Sequence, residues 1–134
     1  HRGEVRVGVL ELRRVAGISD ADASARLGVE AGGLAYWVAA IRECFEEAGI
    51  LLAEGEEGGA LDARRVAALA QYRGLLHAGK LAFHEFLEKE RLVLRGATGN
   101  NLKTGVYDQG RFSVKRENGV HHFQGLLAEF LGKA

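Results

Sequence analysis

Proline and methionine are both absent from this chain of 134 residues, although average proline usage of about 5% would give roughly six or seven. Together with a first residue, His1, that is not methionine, this composition suggests a piece of a longer protein. Cysteine occurs once, as Cys44, which excludes an internal disulfide framework and any cysteine-rich zinc site. A reducing compartment suits that usage, and the expected location is cytoplasmic. Net charge is missing too: Lys+Arg and Asp+Glu both total 18, so no overall field favours nucleic acid or an anionic membrane surface. No run approaches the roughly 18 apolar residues of a membrane span. The N-terminus also lacks the basic-then-apolar order of a signal peptide. What remains is a chain with 47% hydrophobic residues, an ordinary level for one domain with a modest core.

Patterning divides the chain into short elements. Residues 4–12 begin with alternating apolar and other residues, which predicts a strand. Ser19, followed by Asp20 and Asp22, reads as the cap and acidic first turn of a helix running to Leu27 and stopped by Gly28. The clearest helix starts near Gly33 or Leu34 and ends near Gly49, with Leu51 and Leu52 as a conceivable extension. Its apolar stripe is Trp37, Ile41, Phe45 and Ala48, widened by Val38 and Cys44. Glu54 to Gly59 reads as a flexible acidic loop. Leu61 to Ala78 reads as a third helix, with Asp62 near its start and Gly79 ending it. Leu81 to Glu90 reads as a fourth, with Phe83, Phe86 and Leu87 on one side. From Arg95 onward the composition changes. A glycine-rich loop covers 96–105, strands are expected at 106–107 and 111–115, Asn118-Gly119 suits a hairpin turn, and Phe123 to Leu131 reads as a closing helix.

The stretch from Arg42 to Ile50 is chemically the most informative. It places Glu43, Glu46 and Glu47 at spacings i, i+3 and i+4, where helical side chains share one face. Three like charges there repel one another, and a hard cation such as Mg²⁺ or Mn²⁺, which prefers oxygen ligands, turns that cost into a binding site. The stripe of apolar residues runs beside this acidic face, so the carboxylates should edge a core and open to solvent.

Written as Arg-Glu-x-x-Glu-Glu-x-Gly followed by an aliphatic residue, the stretch resembles the signature helix of the Nudix hydrolases. The wider word from Tyr36 to Ala53 resembles the acyl-coenzyme A diphosphatase-like branch of that family. The resemblance covers roughly residues 15–94 and includes the helices flanking the signature. It implies hydrolysis of a nucleoside diphosphate linked to another group, by water and with a divalent metal, Mg²⁺ or Mn²⁺. It further implies that Glu46 and Glu47 hold the metal, that Glu43 binds metal or helps to activate water, that Arg42 orients the glutamates, and that Gly49 lets the chain turn out of the helix. Gly28 matches the glycine of the full signature. Leu34 stands where the signature has a further glutamate, and no Gly-Gly loop after a proline precedes the motif.

Other motifs carry less. Gly99 to Thr104 has Leu102 before Lys103 and Gly105 after Thr104, which breaks the phosphate-loop pattern. His77 and His84 are seven positions apart and His121 and His122 adjacent, so neither pair has helical zinc spacing. Cys44 reads as a small core filler. Lys103, Arg111, Lys115 and Arg116 make a mild basic patch interleaved with Tyr107 and Phe112, but a net charge of zero argues against nucleic acid as a partner. The expected fold is α+β, a helix-rich single domain with a few short strands in a partial or diverged Nudix-type α/β/α arrangement. Residues 1–94 would form the Nudix-like helical region, and 95–134 short strands plus a C-terminal helix. The expected function is a metal-dependent hydrolase whose partner is a small-molecule diphosphate, either a coenzyme A ester or a nucleotide diphosphate. The alternative is a non-catalytic helical interaction module that keeps the signature helix as scaffold.

Overall fold

Ser19 starts the first long helix as its sequence promises: the hydroxyl oxygen accepts a hydrogen bond from the Asp22 amide at 3.0 Å. In a computed structural model that describes residues 7–59, 61–95 and 125, this helix is α2, Asp20–Leu27. It follows a single turn, α1 (Val9–Leu12), and a two-residue strand, β1 (Val15–Ala16). Gly28 closes α2 at φ 71°, a left-handed conformation that glycine adopts without a Cβ penalty.

The strand expected over residues 4–12 does not form in the part described, which from Val9 is helical. Local capping overrides the alternation: Glu11 Oε1 accepts from the Gly8 amide at 3.0 Å and closes the turn. Glu11 Oε2 also accepts from the His84 amide at 3.0 Å, so this short turn is tied to a distant helix.

Helix α3, Gly33–Ala48, is the longest element described and forms the spine of the core. Trp37, Val38, Ile41, Cys44 and Phe45 are buried, as the stripe predicts, whereas Ala48 is exposed. Its start is capped from α2 rather than by its own sequence. Asp20 Oδ1 accepts from the Leu34 amide at 3.0 Å, Asp20 Oδ2 from the Gly32 amide at 3.1 Å, and Ser24 Oγ from the Gly33 amide at 2.8 Å. A carboxylate at a helix N-terminus also opposes the positive end of the macrodipole. The helix stops at Gly49, at φ 71°, and does not continue through Leu51 and Leu52.

Beyond α3 lies β2, Ala53–Gly55, which replaces the start of the loop that the composition predicts from Glu54. The anticipated single helix from Leu61 to Ala78 is broken into α4 (Ala63–Leu69), a 3₁₀ turn (Ala70–Tyr72) and α5 (Arg73–His77). Asp62 caps α4 by accepting from the Arg65 amide at 2.8 Å. Helix α6, Phe83–Lys89, buries Phe83, Phe86 and Leu87, and the final described strand is β3, Leu92–Arg95. The described residues thus form a helix-rich α+β unit with a three-stranded mixed sheet in the order β1-β3-β2. Strand β3 is central, parallel to β1 (Val15 opposite Leu94) and antiparallel to β2 (Ala53 opposite Leu94). Side chains of Leu92 and Leu94 point into the core. Phe86 joins the layers: its ring lies 5.4 Å from Phe45 on α3 and 5.0 Å from Tyr72. The loop, strands, hairpin and closing helix expected over 96–134 lie outside the described residues, except for Gly125, which is helical.

Candidate active site

The last turns of α3 carry the acidic word. Along a helix each residue advances by about 100°, so Glu46 and Glu47 fall on opposite sides of Glu43. That separation decides their environments. Glu43 and Glu46 face a cleft of about 620 Å³, whereas Glu47 is exposed and is not among the residues that line it. Arg42 lines the same cleft. Of the residues assigned from the signature, the structure therefore brings three together and sets the fourth outside.

The three are tied electrostatically. Arg42 Nε lies 3.5 Å from Glu46 Oε2, an i, i+4 pair, and Arg42 Nη2 lies 3.9 Å from Glu43 Oε1. Glu46 is the most enclosed of them, with a side chain only 5% exposed. Its pKa is raised from the ordinary 4.5, chiefly because burial penalises the charged form, with the Glu43 charge adding to the rise. The Arg42 cation and His77 act in the opposite direction without cancelling it.

The far wall of the cleft comes from the α5–α6 connection. It contributes Leu76, His77, Gly79 to Phe83, and Glu85, while α1 contributes Glu11. His77 is exposed, and its Nδ1 lies 3.7 Å from Glu46 Oε1. Glu85 accepts from the Ala82 amide at 3.1 Å and Glu11 from the two amides described above, so both are fixed in place. Backbone hydrogen bonds anchor the wall itself. Gly79, at φ 72°, donates to the Leu76 carbonyl at 3.1 Å and Lys80 to the Leu75 carbonyl at 2.9 Å, a Schellman closure of α5. The two walls are joined where Arg73 on α5 donates Nε and Nη2 to the Glu46 carbonyl at 3.2 and 3.1 Å, satisfying the C-terminal end of α3.

His77 lacks zinc spacing in the sequence and reads as an ordinary surface or half-buried residue, and no motif marks Glu11, Lys80 or Glu85 as cleft residues. Gly79, as a helix stop, marks where the wall turns, but nothing local announces that this turn meets α3. Among the described residues no three His, Cys, Asp or Glu side chains converge in a group able to hold a metal ion. Cys44, next to Glu43 within the acidic word, is buried, and desolvation pushes its thiol up to about 12, which disfavours the nucleophilic thiolate. Comparison of the chain with family models, with curated proteins and with solved structures gives no match.

Proposed function

We propose that this chain is a metal-dependent hydrolase of a nucleoside diphosphate linked to another moiety, with coenzyme A esters or nucleotide diphosphates as the substrate class. One observation carries the proposal: Arg42, Glu43 and Glu46, three residues of the signature-like word, line a single cleft large enough to admit a diphosphate. Glu43 and Glu46, the two α3 carboxylates of the cleft, suit the donor chemistry of Mg²⁺, which is commonly held by one or two carboxylates completed by waters and substrate phosphates rather than by an all-protein cage. Glu43 and Glu46 would hold such a metal, which when bound would supply charge neutralisation of the diphosphate and polarisation of an attacking water. Arg42 keeps both carboxylates turned into the cleft, at 3.9 and 3.5 Å. Glu47 enters as a metal ligand from its signature position alone.

The test is Mg²⁺- or Mn²⁺-dependent cleavage of diphosphate-linked substrates by the whole chain. Glu43→Gln and Glu46→Gln keep shape but remove charge, and each should lower kcat by about 100-fold or more. Turnover equal to the parent in both variants would contradict the proposal.

A second reading, a non-catalytic interaction module retaining α3 as scaffold, draws on the pairing of Arg42 with Glu43 and Glu46 and on Leu34 in place of a glutamate. It predicts neither turnover nor a metal-dependent thermal shift that Glu46→Gln abolishes.

A further inference from the structure

The cleft is rich in negative charge. Glu11, Glu43, Glu46 and Glu85 all line it, and each would repel an incoming diphosphate. Arg42 lines the cleft as well, but its guanidinium is already engaged by Glu43 and Glu46. His77 lies against Glu46. Lys80 is different. It lines the same cleft and, among the described residues, its ammonium has no ion-pair partner despite four carboxylates in the lining. Its backbone is nonetheless fixed by the bond to Leu75 and by the left-handed Gly79 before it. A full positive charge is thus held on the wall opposite α3 on a rigid base, with a flexible stem long enough to reach toward a ligand.

We propose that Lys80 contacts the phosphate groups of the substrate, gripping the diphosphate from the wall opposite Glu43 and Glu46. This rests on the hydrolase reading for the identity of the ligand, not for the location of the charge. Metal held by the α3 carboxylates would neutralise one side of the diphosphate and Lys80 the other. Lys80 is accordingly a specificity residue: it selects phosphate-bearing ligands and binds ground state and transition state alike, so its loss raises KM more than it lowers kcat.

Calorimetric titration of the full chain with ADP in the presence of Mg²⁺ tests this, ADP serving as a nucleoside diphosphate without a second moiety to release. Lys80→Ala should weaken ADP binding by about tenfold, or about 1.4 kcal/mol. Lys80→Arg should restore it to within about threefold, because it returns the charge. Thermal melting of each variant verifies folding. Equal ADP affinity in the parent and Lys80→Ala, or absence of ADP binding by the parent up to millimolar concentration, overturns the assignment. Turnover of diphosphate-linked substrates, measured in parallel, separates the two claims. Lys80-dependent ADP binding without turnover sinks the hydrolase and keeps the anion contact. Turnover with unchanged ADP binding and unchanged KM in Lys80→Ala does the reverse.

Discussion

Cys44 and Glu46 sit two residues apart on α3 and illustrate how burial controls chemistry within one helical turn. The thiol faces the core beside Phe45 and is wholly buried, which raises its pKa from 9.0 to about 12. The folded chain therefore keeps its proton over the range where the unfolded chain loses it. The contribution of Cys44 to stability is fully present below pH 9.0 and is lost as pH rises toward about 12. At pH 8 the thiol of the native chain should resist a disulfide reagent such as dithionitrobenzoate and react at once when urea unfolds it. Rapid labelling of the native chain would mean that α3 does not bury this residue. Glu46 points the other way, into the cleft. Its raised pKa records the same desolvation, opposed by Arg42 and His77 rather than by core contacts.

Helix α3 was plain in the sequence because periodicity, Gly49 and the acidic word all agreed on it. Ser19, Asp62 and Gly28 were equally readable, since cap residues act locally. The elements that escaped depend on partners far along the chain. Strands β1 and β2 have two and three residues, too short to show a period, and exist because β3 supplies their hydrogen bonds. Residues 4–12 misled because the Glu11 carboxylate, bonded to Gly8 and His84, outweighs a brief alternation. The start of α3 was uncertain by a residue because its capping groups, Asp20 and Ser24, belong to α2. The α2–α3 crossing yields a prediction of its own. A Cβ on Gly33 would lie 2.4 Å from the Ser24 amide nitrogen and 2.5 Å from its Cα, both rigid backbone atoms. Gly33→Ala must therefore part the helices and should cost about 2 kcal/mol, lowering Tm by about 10 °C. Gly74→Ala, inside α5 with nothing within 4 Å of the new carbon, should instead stabilise by about 0.5–1 kcal/mol. Calorimetric melts of both variants check the pair, and a neutral Gly33→Ala would show that the crossing is looser than described.

At the scale of the whole molecule, the core formed by α3, the Tyr72 turn, α6 and β3 fixes two walls that face each other across the cleft. One wall, α3, could be named from the sequence, along with Arg42, Glu43 and Glu46. The other could not, because Glu11, His77, Lys80 and Glu85 converge through tertiary packing alone: Glu11 holds α1 to the start of α6, and Arg73 holds α5 to the end of α3. No helix of the described residues is long and apolar enough to cross a membrane. The proposed chemistry depends on Glu43 and Glu46 acting together on one cation across from that second wall. Mn²⁺ titration followed by electron paramagnetic resonance, with ADP present, tests it most directly. The parent should form a ternary complex, and Glu43→Gln/Glu46→Gln should weaken Mn²⁺ binding by at least about tenfold. Indistinguishable Mn²⁺ binding in the parent and the double variant would contradict the assignment of this cleft as a metal-dependent active site.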